Sequence, residues 1–255
     1  MQLNKALIES VIRLAEEAGR AILAVYDGPI DVTVKQDDSP LTQADRAAHR
    51  VIVEALAQLT PELPVLSEES DEAQKAARLA WSRYWLVDPL DGTKEFIRRN
   101  GEFTVNIALI EQGLTTFGVV HLPVQHLSYW GGQAYGAFKR SHAGEMPIRV
   151  QAPLPGEALR VIGSRSHLSV ETQAYLAGIG EHTLIAAGSS LKFCRVAEGE
   201  AHLYPRLGPT CEWDTAAAQA VLEGAGGEVV TLEGAPLRYS KAELLNPWFI
   251  ARPKG

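Results

Sequence analysis

The apolar run Trp85-Leu86-Val87 passes directly into Asp88-Pro89-Leu90-Asp91-Gly92-Thr93. The run predicts a buried strand, and whatever fold the chain adopts must accommodate two acids at that strand's end. Carboxylates about 4–6 Å apart repel, and one pKa rises strongly unless a cation sits between them. Asp and Glu oxygens with no interleaved Cys or His favour Mg²⁺ or a similarly hard ion. The plainer reading makes Asp88 and Asp91 turn residues, since Asp-Gly is common in turns. Turn chemistry alone does not account for two acids placed directly after a buried strand.

Matching pieces lie far away in the chain. Leu63-Pro64-Val65-Leu66-Ser67 is a second short apolar run ending in acids, Glu68 and Glu69, and Glu212-Trp213-Asp214-Thr215-Ala216-Ala217 opens a helical stretch. Three carboxylate-bearing segments suit a site for two or three ions, which sit about 3.5–4 Å apart in such centres. Each segment has a modest alternative. Acids after a strand are usually solvated, and an Asp in a first helical turn is favoured by capping and the macrodipole. Thr42-Gln43-Ala44-Asp45 also reads as a helix N-cap and its first turn. Ser189-Ser190-Leu191-Lys192 sits at a strand-to-helix transition, where amides, hydroxyls and the lysine can receive an anion; an N-cap serine with a solvated lysine is the alternative.

These segments resemble the signature motifs of the Mg²⁺-dependent, lithium-sensitive phosphatases of the inositol monophosphatase superfamily. That pattern is a Glu-Glu pair, then Asp-Pro-x-Asp-Gly-Thr, then Trp-Asp-x-Ala-Ala. Asp88 to Thr93 and Trp213 to Ala217 match it without departure, in the right order and across nearly the whole chain. Within the superfamily, Tyr84 to Phe103, Gly188 to Cys194 and Leu203 to Arg206 resemble the bacterial bisphosphate nucleotidases. The resemblance implies that Glu68, Asp88, Asp91, Asp214 and the Leu90 carbonyl hold two or three Mg²⁺ ions. It implies that Glu68, Thr93 and Asp45 are catalytic, Thr93 orienting the attacking water and Asp45 helping to polarise it. Glu68, Leu90, Asp91, Gly92, Thr93, His167, Ser189, Lys192, Arg206 and Asp214 would contact substrate. His167 belongs to Ser164-Arg165-Ser166-His167, which follows a strand, and Arg206 is a softer candidate for a second phosphate than Lys192. A basic residue at position 192, where plain inositol monophosphatases carry a small or apolar one, suggests that second phosphate.

The expected activity is then hydrolysis of adenosine 3′,5′-bisphosphate, with or without its sulfated relative, to AMP and phosphate, linked to sulfate assimilation. In-line attack by water activated at the ions, without a phosphoenzyme, is the implied route. An inositol or other sugar-phosphate phosphatase is the second reading, and a non-catalytic metal-binding descendant the third. The intact acids and Thr93 count against the third. There is no Walker A motif and no Cys or His nucleophile in a phosphate-binding loop.

Composition narrows the remaining classes. With 46% hydrophobic and 22% charged residues, the chain is an ordinary globular one, and its 255 residues can bury a substantial core. A net charge of −7 without a Lys/Arg cluster argues against nucleic-acid polymers as partners. It also means that bound cations must reverse the local field before a phosphate ester can approach. No apolar run is long enough for a membrane span, and Met1 to Arg20 lacks the layout of a secretory signal. Cys194 and Cys211 read as interior thiols of a cytoplasmic protein. Peripheral association with the inner face of the plasma membrane stays open, as does monomer against homodimer.

The fold class expected is mixed, α+β or α/β: a layered αβαβα sandwich of the sugar-phosphatase type, shared with fructose-1,6-bisphosphatase. Residues 4–26 space their apolar positions as an amphipathic helix ended by Asp27-Gly28-Pro29, and a second helix runs to about Leu59. Asp31 to Lys35 alternates like a strand, and Asp37 to Thr42 reads as a turn. Four strands between Phe103 and Phe138 form an antiparallel meander. Gln151-Ala152-Pro153-Leu154-Pro155-Gly156 marks a boundary between an α+β domain over 1–150, carrying most metal ligands, and an α/β domain over 151–255, carrying Asp214 and the specificity residues. Beyond it, strands and helices alternate, with a helix over Thr215 to Leu222.

Overall fold

The computed structural model describes residues 3–29, 32–34, 40–164 and 168–255, with 32–34, 40 and 41 described by backbone alone. At its centre lies a seven-stranded sheet in the order β3 (Val65–Ser67), β4 (Arg83–Asp91), β5 (Thr104–Glu111), β6 (Leu114–Leu122), β7 (Leu127–Gly132), β8 (Gly136–Ser141), β9 (Gly144–Pro147). The β3–β4 pair is parallel and the rest is antiparallel. The run at 84–87 explains the layering. Tyr84 and Leu86 pack into one core, Trp85 and Val87 into another, because successive side chains point to opposite faces and both faces are covered.

Helices α1 (Lys5–Tyr26) and α2 (Gln43–Leu59) cover the Trp85 face. α1 starts where the Asn4 side chain accepts from the Leu7 amide at 2.8 Å, and it buries Ile8, Val11, Ile12, Ala15, Ala18 and Ile22 in one stripe. α6 (Leu191–Ala197) and α7 (Glu212–Gly224) cover the Tyr84 face. α7 presents Ala216, Ala217 and Ala218, and a Cβ added at Gly118 of β6 would sit 2.1 Å from the Ala217 carbonyl oxygen. Small residues on both sides let helix and sheet approach backbone to backbone.

A second layer of strands lies beyond α6 and α7. β10 (Leu159–Ser164) pairs in parallel with β11 (His182–Ala187), while β12 (Tyr204–Arg206), β14 (Phe249–Pro253) and β13 (Gly227–Thr231) form an antiparallel trio. Among the described residues, one Val161–Leu203 bridge connects the two pieces. Their alternation repeats the logic of the large sheet: Ile162, Val229, Phe249 and Ala251 face α6 and α7, while Val161, Val230 and Ile250 face α5 (Val170–Gly178) through Leu176. The five layers are therefore α1/α2, large sheet, α6/α7, small sheets and α5, the αβαβα arrangement expected from the sequence.

Local differences have physical causes. Within 37–42, expected to be a turn, residues 40–42 form strand β2 (Pro40–Thr42), which pairs with β1 (Val32–Val34); a proline at a strand's first residue leaves the ladder intact. Helices α3 (Glu72–Ala77) and α4 (Thr93–Ile97) are too short for a periodic signal, and β9 is an exposed edge. α7 begins at Glu212 rather than Thr215, because Cys211 and Asp214 cap it together.

Candidate active site

β4 does not stop at Val87. It continues through Pro89 to Asp91, and the ladder to β5 pairs Asp88 with Asn106 and Asp91 with Thr104. Three steps on β4 therefore match two on β5, which is a bulge of one residue. In a regular strand, residues three apart point to opposite faces. The extra residue brings Asp91 onto the face of Asp88, and Pro89, without an N–H, sits where no ladder bond is required. Leu90 lies inside the bulge, its side chain buried in the α1/α2 core and its amide donating to Asp88 Oδ1 at 3.0 Å. Gly92 then turns the chain into α4 with a left-handed φ of 90°. A Cβ there would lie 3.2 Å from Ser189 Cβ.

Three other acids reach this strand end. Glu68 follows β3, and its amide donates to the Val87 carbonyl at 3.0 Å, so parallel pairing sets it beside Asp88. Asp214 stands in the first turn of α7, where its Oδ2 accepts from the Cys211 amide at 2.9 Å. Asp45 occupies the same position in α2, with Oδ2 accepting from the Thr42 hydroxyl at 2.6 Å and the Thr42 amide at 2.7 Å. The capping reading of Asp45 and Asp214 thus holds alongside their place in the cluster.

The electrostatics identify one connected group. Burial first, then Glu68, Asp91, Asp214 and Asp45, drives the Asp88 carboxyl well above its ordinary range; Asp88 is 1% exposed. Burial followed by Asp91 does the same to Asp214. Burial lifts Asp91 to about 6 against the opposing pull of Lys192 and the Ser190 amide. Asp45 also rises to about 6, chiefly through burial. Among the described residues no three such groups are drawn into a closed ion cage; Asp45, Asp88, Asp91 and Asp214 each turn an oxygen to a local amide. The donor set nevertheless suits a hard divalent ion in its chemistry: oxygens alone, and more buried negative charge than Lys192 neutralises.

Two cavities meet at Asp91, Gly92, Lys94, Glu95, Thr210 and Asp214. One, of about 480 Å³, is the acidic side, reached by Glu68, Thr93, Cys211 and Trp213. The other, of about 470 Å³, is lined by Ser164, Ser189, Lys192, Tyr204 and Arg206. Lys192 is not the solvated lysine of the plainer alternative. It is 5% exposed, donates to the Ser189 carbonyl at 2.6 Å and lies 5.6 Å from the Tyr204 ring centroid. Burial lowers its pKa to about 8, with Asp91 resisting. Ser189 holds a left-handed φ of 43°, and its buried hydroxyl has no partner among the described residues. Arg206 donates to the Pro209 carbonyl at 2.8 Å, and its buried Nε finds no partner among the described residues. His167, with Arg165 and Ser166, lies outside the described residues.

Sequence reasoning missed several contributors. Glu95 lines both cavities, and Glu102 accepts the Gly188 amide at 2.8 Å. Both fall in Lys94 to Phe103, which has acids but no periodic pattern. Thr104 and Asn106 carry only the weak signal of polar residues in an otherwise apolar strand. Cys194 is an interior thiol, as expected. Cys211 is not: it is half-buried, caps α7 and lines the acidic cavity.

Comparison with known proteins agrees with this geometry. The pattern of the inositol monophosphatase family matches residues 3–248. The chain is 52% identical over 246 residues to the 3′(2′),5′-bisphosphate nucleotidase CysQ of Salmonella typhimurium, covering 95% of this chain and 98% of that one. The CysQ of Escherichia coli strain K12 matches with the same identity and coverage. Among solved structures, CysQ from Bacteroides thetaiotaomicron superposes with a TM-score of 0.87 at 42% identity, covering 98% of each chain. The extragenic suppressor protein suhB of Bartonella henselae gives 0.79 at 26% identity, covering 98% of this chain and 95% of that one. With a family pattern matching residues 3–248 and 52% identity over 246 residues to a curated relative, this chain belongs to the inositol monophosphatase family.

Proposed function

We propose that this protein is a Mg²⁺-dependent 3′(2′),5′-bisphosphate nucleotidase that hydrolyses adenosine 3′,5′-bisphosphate to AMP and phosphate. The observation that carries the reading is the two-sided cleft. A phosphate to be cleaved fits the acidic cavity once cations are bound. A second phosphate, left uncleaved, fits the adjoining cavity of Lys192, Ser189 and Arg206. The names of the CysQ relatives support the same choice.

Glu68, Asp88, Asp91 and Asp214, with the Leu90 carbonyl, would hold the ions. Bound Mg²⁺ supplies Lewis acidity that lowers the pKa of water and stabilises charge on the phosphoryl oxygens. Thr93, the first residue of α4 beside Asp91, orients the attacking water through its hydroxyl. Asp45, with a pKa of about 6, is matched to accept a proton near neutral pH. The Thr42 hydroxyl and amide hold one carboxylate oxygen in place. Water adds to phosphorus as the bond to the ribose 3′ oxygen breaks; Asp45 takes one proton of the water, and a proton from solvent goes to the leaving oxygen. Gly92 keeps this corner free of a side chain that would push Ser189 away.

Phosphate release in Mg²⁺ from adenosine 3′,5′-bisphosphate, inositol 1-phosphate and fructose 1,6-bisphosphate tests the reading. The nucleotide should give the highest kcat/KM. Preference for inositol 1-phosphate, or no release from any of the three, would overturn it.

A further inference from the structure

The large sheet and α6 are joined by a ring of three buried polar side chains beside Asp91. Asn106 Nδ2 donates to Thr104 Oγ1 at 3.3 Å, and Ser190 Oγ donates to Asn106 Oδ1 at 2.7 Å. Thr104 Oγ1 and Ser190 Oγ lie 2.8 Å apart. Since the Ser190 proton goes to Asn106, Thr104 must donate to Ser190, and the ring closes with both hydroxyl protons used. Thr104, Asn106 and Ser190 are 0%, 1% and 2% exposed, so no water competes for these bonds.

We propose that Thr104, Asn106 and Ser190 are positioning residues that set α6 against the bulged end of β4. Ser190 faces both ways. Its hydroxyl is locked to the sheet, while its backbone N–H donates to Asp91 Oδ2 at 2.6 Å. Thr104 and Asn106 are the cross-strand partners of Asp91 and Asp88, so the residues that register the two aspartates also register the helix start. Ser189 and Lys192 flank Ser190 and move with it. Leu191, Phe193, Cys194, Val196 and Ala197 make apolar, non-directional contacts, and the other polar tie to the large sheet among the described residues is at the far end of α6, where Glu198 accepts from Tyr129 Oη at 2.9 Å and Lys139 Nζ at 2.6 Å. Neither fixes the N-terminal turn beside Asp91. A closed directional ring does, and it holds the acidic cavity and the Lys192 cavity at one separation. An error of about 1 Å in such a separation can cost a hundredfold in rate.

The ring's link to substrate rests on the proposed nucleotidase reading, so the test includes an ion-binding readout that needs no turnover. Thr104→Val keeps the side chain's shape and removes its hydroxyl, whereas Thr104→Ser keeps the hydroxyl and removes a methyl. Thr104→Val and Ser190→Ala should each weaken Mn²⁺ binding, measured by calorimetry, about threefold to tenfold. Each should raise KM for adenosine 3′,5′-bisphosphate by a similar factor, while Thr104→Ser stays near wild type in both. Ile110→Val, in the core of β5, serves as the control that lowers stability without weakening Mn²⁺ binding. Wild-type Mn²⁺ affinity in both Thr104→Val and Ser190→Ala would overturn the proposal, as would equal impairment in Thr104→Ser. If the Mn²⁺ results follow expectation but wild type releases no phosphate from the bisphosphate, the ring stands and the substrate reading falls.

Discussion

Asp45 offers a prediction whose magnitude changes with pH. It is 2% exposed, and burial lifts its pKa from an ordinary 3.8 to about 6, despite the two Thr42 hydrogen bonds that favour the anion; Glu69 and Glu68 add to the rise. At about 1.4 kcal/mol per pH unit, holding Asp45 ionised in the folded protein at pH 8 costs roughly 3 kcal/mol without bound cations. Below about pH 4 the carboxyl is neutral both folded and unfolded, and the cost vanishes. It grows as pH rises from about 4 to 6 and is constant above that. Asp45→Asn cannot ionise and keeps an oxygen for Thr42. In EDTA it should therefore match wild type near pH 4 and exceed it by roughly 3 kcal/mol at pH 8, on the order of 5–10 °C in Tm. Urea denaturation at the two pH values measures the difference, and saturating Mg²⁺ should narrow it by offsetting the same repulsion. Phosphate release should fall at least about a hundredfold if Asp45 accepts the proton. A variant no more stable than wild type at pH 8 would refute the assignment of Asp45 to a repelling cluster.

Asp88→Asn, at the centre of that cluster, should abolish turnover at saturating Mg²⁺ while raising the Tm in EDTA; near-normal activity in a phosphate-release assay counts against Asp88 as an ion ligand. Lys192→Ala should lower kcat/KM for adenosine 3′,5′-bisphosphate about tenfold to a hundredfold, and much less for adenosine 2′-monophosphate or inositol 1-phosphate. Equal losses on all three substrates would assign the lysine to Asp91 and the fold. Gly92→Ala combines a φ of 90° with a Cβ placed 3.2 Å from Ser189, so kcat should drop by orders of magnitude while the Tm falls only a few degrees.

Legibility in the sequence followed the strength of each local signal. The 84–87 run announced a central strand because four consecutive apolar side chains need cover on both faces. The meander was readable from alternation and from the Gln112-Gly113 turn, whose two positive φ values suit a two-residue hairpin. Of the candidate residues, Glu68, Asp88, Asp91, Thr93, Asp214, Ser189, Lys192 and Arg206 all line the joined cavities or sit in the charge cluster beside them. What could not be read was whatever depends on register. The bulge at Pro89 and Leu90 is visible only once β5 is laid against β4, and the Thr104–Asn106–Ser190 ring needs residues 84 to 86 positions apart in sequence. Burial of Lys192 was equally hidden, since a lysine in a first helical turn is ordinarily solvated.

The cluster raises a question of how so much unneutralised charge is tolerated in a folded interior. Three of its members answer through helix starts. Asp45 and Asp214 each close a capping box at the third position of their helix, and Asp91 accepts the Ser190 amide at the start of α6. The unsatisfied amides of a first helical turn carry partial positive charge, which stabilises an anion by about 0.3–1 kcal/mol each and more when partly buried. Asp88 has no helix end and, among the described residues, accepts only from the Leu90 amide; its carboxyl rises well above the ordinary range, as that of Asp214 does despite its capping box. On the proposed reading, capping and function are one arrangement here. The helix ends hold the carboxylates in the cleft at a tolerable cost, yet too weakly to neutralise them, so a strong demand for a divalent cation survives folding.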